Sequence, residues 1–136
     1  MLFLAALLLA QAGPVCTATD ANLPAAYADW VAPGVVLMPG KAAGLKTEGG
    51  TASVTFRIAT DGIHSIALDQ KGWIDVYPAS SGVSGTKPFK SVSHREGDPC
   101  WTIRKIVRFH LSHGSYRLEL TKLAQPAAKV MLVKGE

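Results

Sequence analysis

Ser53 to Asp69 reads SVTFRIATDGIHSIALD, and Ile106 to Leu120 reads IVRFHLSHGSYRLEL. In the first stretch Ala52, Val54, Phe56 and Ile58 alternate with Ser53, Thr55 and Arg57, the two-residue period of a half-buried strand. Asp61-Gly62 then turns the chain, and Ile66 and Leu68 follow on one face with His64 in line. In the second stretch Val107, Phe109 and Leu111 alternate with Ile106, Arg108 and His110. His113-Gly114 turns the chain into Tyr116, Leu118 and Leu120, which alternate with Arg117, Glu119 and Thr121. With one gap the two stretches align glycine to glycine and Phe56 to Phe109. Glycine suits such a turn because a tight reversal needs positive φ. The echo predicts two hairpins, each helping to build one sheet of a pseudo-symmetric sandwich.

The same rhythm continues on both sides. Val35 to Met38 reads as a short buried strand and Lys41 to Glu48 as a second, ended by Gly49-Gly50. Trp73 to Tyr77 is a strand after the Lys71-Gly72 turn, Phe89 to His94 an edge strand, and Ala128 to Val133 the last. Upstream, Pro24 to Trp30 suggests a short helix capped by Asp20 or Asn22 and ended by Pro33-Gly34. Tyr27 and Trp30 lie three apart and are expected to plug one end of the core. No long amphipathic helix is legible, so helical crossovers and a parallel sheet are disfavoured. The expected fold is all-β: an antiparallel, jelly-roll-like β-sandwich of about eight strands with a short N-terminal helix.

Length and composition set the context. The 136 residues suit one domain; 48% are hydrophobic and 18% charged, which favours a packed core over disorder. Leu2 to Ala10 is a continuous apolar run followed by Ala10-Gln11-Ala12, a small-x-small cleavage pattern. Residues 1–12 therefore read as a signal peptide, residues 13–33 as an N-terminal segment with the helix, and 34–136 as the sandwich. The run is too short to span a membrane, which takes about 20 residues. No Lys or Arg precedes it, and Cys16 follows Gly13-Pro14-Val15, which fits a lipidation site poorly. Export places the two cysteines, Cys16 and Cys100, in an oxidising compartment, periplasmic or secreted, where an even pair reads as a disulfide.

Two resemblances bear on function. The paired stretches, over Ala52 to Leu120, resemble the hairpins of bacterial prepeptidase C-terminal-type and carbohydrate-module jelly rolls: a Phe-rich strand, a glycine turn and a Tyr-led strand. That resemblance implies a module that binds surfaces or glycans. The blocks GWIDV, Gly72 to Val76, and PCxxIRKxVxFxLxxGxYxL, Pro99 to Leu118, are similar to a group of short exported bacterial proteins. Members of that group are often described as homogentisate 1,2-dioxygenases. The description implies, as an alternative, a small metal-dependent oxidoreductase. Such an enzyme holds Fe(II) with two His and a carboxylate, and no such triad is legible as a motif here.

The candidate site residues follow from the strand patterns. Trp73, Asp75 and Tyr77 share one face of their strand, and two aromatics around a carboxylate can stack on and hydrogen-bond a sugar. An ordinary amphipathic strand gives the same pattern. The net charge is +4, and Lys87, Lys90, Arg95, Arg104, Lys105 and Arg108 crowd one stretch. They read either as a solvated face or as a surface for an anionic partner such as lipopolysaccharide or an acidic glycan. Without aromatic interleaving in a basic groove, nucleic acid is not expected. His94, His110 and His113 cluster near Glu96 and Asp98 and are the candidate iron or zinc ligands, though solvated histidines fit the same spacing. Gly82-Val83-Ser84-Gly85 lacks the spacing of a nucleophile elbow. The expectation is a non-catalytic exported sandwich that binds an envelope surface, glycan or small molecule. An oxidoreductase and an envelope assembly or stress partner are the alternatives.

Overall fold

A computed structural model describes residues 16–79 and 86–135. The expected leader and Gly82-Val83-Ser84-Gly85 lie outside the described residues. Those described form eight strands: β1 (Ala42–Lys46), β2 (Ala52–Ile58), β3 (Gly62–Leu68), β4 (Trp73–Pro78), β5 (Ser93–Glu96), β6 (Lys105–Leu111), β7 (Gly114–Thr121) and β8 (Ala127–Lys134). A five-stranded sheet, ordered β1-β8-β3-β6-β5, faces a three-stranded sheet, ordered β2-β7-β4. Every pairing within the two sheets is antiparallel. The chain is an all-β sandwich.

The order has a simple origin. β1 pairs with β8, β2 with β7 and β3 with β6. The first three strands thus pair in reverse order with the last three, as one long double strand rolled into two sheets. This is the jelly-roll winding. β4 adds to β7 at one edge and β5 to β6 at another.

The two echoing stretches are therefore not hairpins, contrary to the sequence expectation. β2 and β3 belong to different sheets, and so do β6 and β7. Gly62 (φ 140°) and Gly114 (φ 143°) mark corners where the chain passes from one sheet to the other. The echo itself is geometric. Ile58 lies opposite Gly114, and Leu111 lies opposite Gly62. The residues just before the glycines also meet. The His113 backbone N–H donates to Asp61 Oδ1 at 2.7 Å, and the His113 Nδ1 lies 2.8 Å from the same oxygen. These bonds hold the Asp61 carboxyl below its ordinary pKa.

Between the sheets, alternate residues form one core. Phe56, Ile58, Ile66, Leu68, Phe109, Leu111, Leu118 and Leu120 are all buried in it. Phe56 stacks on Tyr116, its register partner, at 5.6 Å between ring centres. A second core covers the opposite face of the five-stranded sheet. It joins Tyr27 and Trp30 to Ala67, Ile103, Ile106, Met131 and Val133. Tyr27 and Trp30 therefore roof the sheet rather than plug the end of the sandwich. With both faces covered, Val130 to Val133 is buried at four consecutive positions, a run in place of an alternation.

The roof is a 3-10 helix, Ala25–Val31. Pro24 precedes it and no side chain caps it. Asp20, expected as a cap, instead accepts from the Thr102 backbone N–H (2.6 Å) and hydroxyl (2.7 Å). Trp30 Nε1 in turn donates to the Thr102 hydroxyl oxygen at 2.8 Å. Asp29 accepts from the Ala42 backbone N–H at 2.9 Å, and Lys129 donates to the Trp30 carbonyl at 3.0 Å. Cys16 and Cys100 form a disulfide with Cα atoms 5.5 Å apart and a sequence separation of 84. Closing a loop of that length is worth about 4–5 kcal/mol in the chain-entropy model. The roof is held by covalent and polar contacts at once, because a seven-residue helix has little stability of its own.

Two other expectations shift. Val35 to Met38 is not a buried strand: Val35, Val36 and Met38 are exposed and only Leu37 enters the core. Four apolar residues in a row mimic a strand, but here they make only isolated bridges. The edge strand lies at Ser93–Glu96, later than Phe89 to His94. Its shortness and its charges blunt an otherwise open sheet edge. Among the described residues no helix is long and apolar enough to cross a membrane.

His64 is buried at 2% exposure, opposite Phe109, with its Nδ1 3.1 Å from the Gly62 carbonyl oxygen. Burial pushes its pKa below the ordinary 6.5, with the nearby Lys134 and His110 acting in the same direction. The unfolded chain then binds the proton first, so stability is present above pH 6.5 and falls as the pH drops through the lowered value. Urea unfolding of the wild type should lose midpoint between pH 7.5 and 5.0 by more than His64→Leu does. Equal losses would refute a buried neutral imidazole.

Candidate functional site on the three-stranded sheet

The outer face of the three-stranded sheet is where alternation leaves side chains to solvent. In β4, Ile74 and Val76 are buried. Trp73, Asp75 and Tyr77 point the other way, and Trp73 is 56% exposed. Sequence reasoning placed these three on one face, and the structure does so.

Register then adds neighbours that the sequence left unassigned. Asp75 sits opposite Glu119, which sits opposite Ser53 on the next strand. Tyr77 sits opposite Arg117, which sits opposite Thr55. The face is thus a ladder of rungs, each running from an aromatic or acidic residue of β4 to a hydroxyl of β2. Arg117 links two rungs. Its guanidinium carbon lies 4.7 Å from the Tyr77 ring centre, and its Nε lies 3.3 Å from Glu119 Oε1. At the other end the Lys105 ammonium lies 5.0 Å from the Trp73 ring centre and donates to the Gly72 carbonyl at 2.7 Å. Each of the two aromatic rings has a cation against it.

Asp75 and Glu119 form a like-charged pair directly across the strands, an arrangement that ordinarily costs stability. Partial burial raises the Asp75 pKa above the ordinary 3.8, the Glu119 charge raises it further, and Lys105 offsets part of the effect. The alternation Arg117, Glu119, Thr121 was legible in the sequence. That it stands beside Asp75 was not, because register depends on which distant strand pairs.

The basic candidates divide. Arg104 and Lys105, with Lys71, His94, Arg95 and Glu96, line a hollow of about 230 Å³ at the seam between the turn before β4 and strand β5. Arg108 is three residues along from Lys105 on β6 and faces the other way, opposite Ser65 and Ser93. It does not join the hollow.

The histidines do not come together. His94 lies opposite Val107 and His110 opposite Ile63, so an odd spacing along β6 puts them on opposite faces of the five-stranded sheet. His113 is at a corner, against Asp61. Among the described residues, no group of three His, Cys, Asp or Glu is placed to hold a metal ion. Protein-family models and curated proteins alike give no match to this chain.

The raised pKa of Asp75 makes the folded state hold this proton more tightly than the unfolded chain does. Its stabilising contribution is complete below pH 3.8 and is lost as the pH rises through the raised value. Asp75→Asn should therefore be more stable than wild type at pH 7, by about 0.2–1 kcal/mol, with the gap closing below the ordinary carboxylate range. Chemical unfolding at pH 7 and 3 measures this. A variant less stable than wild type at pH 7 would show that Asp75 is a stabilising group.

Proposed function

We propose that this chain is an exported, non-catalytic sandwich that binds a saccharide chain on the outer face of its three-stranded sheet. The observation that carries the reading is the Trp73, Asp75, Tyr77 row, with Trp73 more than half exposed. Much of the Trp73 indole stays open to solvent on the sheet face although Lys105 lies against its ring. It offers a flat apolar surface to the C–H face of a pyranose ring. Glu119, Asp75, Ser53 and Thr55 stand within the same rungs and offer acceptors and hydroxyls to sugar oxygens. A small number of fixed polar groups around an aromatic surface is the usual composition of a ligand site.

The disulfide fits the oxidising compartment in which an envelope or extracellular glycan would be met.

Affinity electrophoresis through gels containing polysaccharides tests the reading. At least one polymer should retard the wild type. Trp73→Ala should weaken that binding about tenfold, or roughly 1.4 kcal/mol. Tyr77→Ala should weaken it too, while His110→Ala should not. Retardation unchanged in Trp73→Ala, or no retardation by any polymer, would contradict the proposal.

A further inference from the structure

We infer that the bound saccharide is acidic, with a carboxylate or sulfate of one residue seated in the basic hollow beside Trp73; the inference rests on the saccharide reading above. The hollow brings Lys71, Arg95, Arg104 and Lys105 together with His94 and a single carboxylate, Glu96. None of the four cations has a carboxylate within 4 Å among the described residues. What they touch is neutral. Arg104 donates to the carbonyls of Asp98 and Trp101, and Lys105 donates to the carbonyl of Gly72. Arg95 lies 5.6 Å from the Trp101 ring centre.

Four positive charges meet at this seam and repel one another, and among the described residues a single carboxylate, Glu96, lines it with them. Such a concentration draws and holds an anion. Arginine adds a planar pair of donors that matches a carboxylate or a sulfate. The backbone fixes the hollow's shape. A side chain on Gly97 would run into the Ile103 carbonyl, so its absence lets the end of β5 close against the chain leading into β6.

The hollow is continuous with the platform through one residue. Lys105 lines it and also lies against Trp73. A sugar ring stacked on Trp73 would have its neighbour's acidic substituent at the hollow. Glu119 is paired with Arg117, and Asp75, whose charge Lys105 partly offsets, lies one rung further along the face than Trp73.

The test uses the intact, disulfide-bonded chain at 0.15 M salt, where loose long-range attraction is largely screened. Binding to polygalacturonate is compared with binding to its fully methyl-esterified form, which keeps the sugar rings and removes the charge. Dextran sulfate against dextran gives the sulfate arm and identifies which anion is preferred. The wild type should favour at least one charged polymer over its neutral counterpart by about tenfold or more. Lys71→Gln and Arg95→Gln, both exposed positions, should erase that preference. Lys41→Gln, an equal change of net charge elsewhere, should leave it intact.

Equal binding of charged and neutral polymers, lost in Trp73→Ala, would overturn the acidic-ligand inference and leave the platform standing. Preference lost equally in Lys41→Gln would overturn it as well, by showing general charge attraction. No binding to any polymer would remove the platform reading and this inference together.

Discussion

Everything on the surface of this protein depends on the reverse-order pairing of its two arms. β1, β2 and β3 find β8, β7 and β6 in turn, and the corners at Gly62 and Gly114 carry each arm from one sheet to the other. The pairing is driven by apolar alternation. An arm with one apolar face buries it here by rolling successive strands around a shared interior. Once β2 pairs with β7 and β7 with β4, the side chains left outside are committed: Asp75 must stand beside Glu119, and Tyr77 beside Arg117. The platform follows from the roll.

The five-stranded sheet shows the complementary consequence. Its inner face meets the smaller sheet, and its outer face is closed by Tyr27 and Trp30, held down through Asp20, Thr102 and the disulfide. The three-stranded sheet keeps an outer face open to solvent, with Trp73, Ser53 and Thr55 on it. Division of labour between the sheets thus comes from the N-terminal segment, which spends two large aromatics on one face and leaves the other free.

How much of this could be read in the sequence depends on range. Strand positions at Ala52, Ile58, Trp73 and Leu120 were legible because alternation is local. The placing of Trp73, Asp75 and Tyr77 on one face needed nothing more. The glycine turns were found, but a hairpin and a sheet-to-sheet corner share the same local signal, and only the distant partner tells them apart. Glu119 and Arg117 stayed hidden as site residues for that reason, as did the gathering of Lys71 with Arg95. Val35 to Met38 misled because a short apolar run carries no period. Arg108 looked like part of the basic set because closeness in sequence ignores the two faces of a strand.

The direct test of the rolled pairing is an NMR map of cross-strand Hα–Hα and amide contacts. The account predicts contacts from Ala52–Ile58 to Gly114–Thr121, and from Gly62–Leu68 to Lys105–Leu111. Contacts running instead from β2 to β3 and from β6 to β7 would mean two local hairpins. The register that sets Asp75 beside Glu119, and the site built on it, would then be wrong.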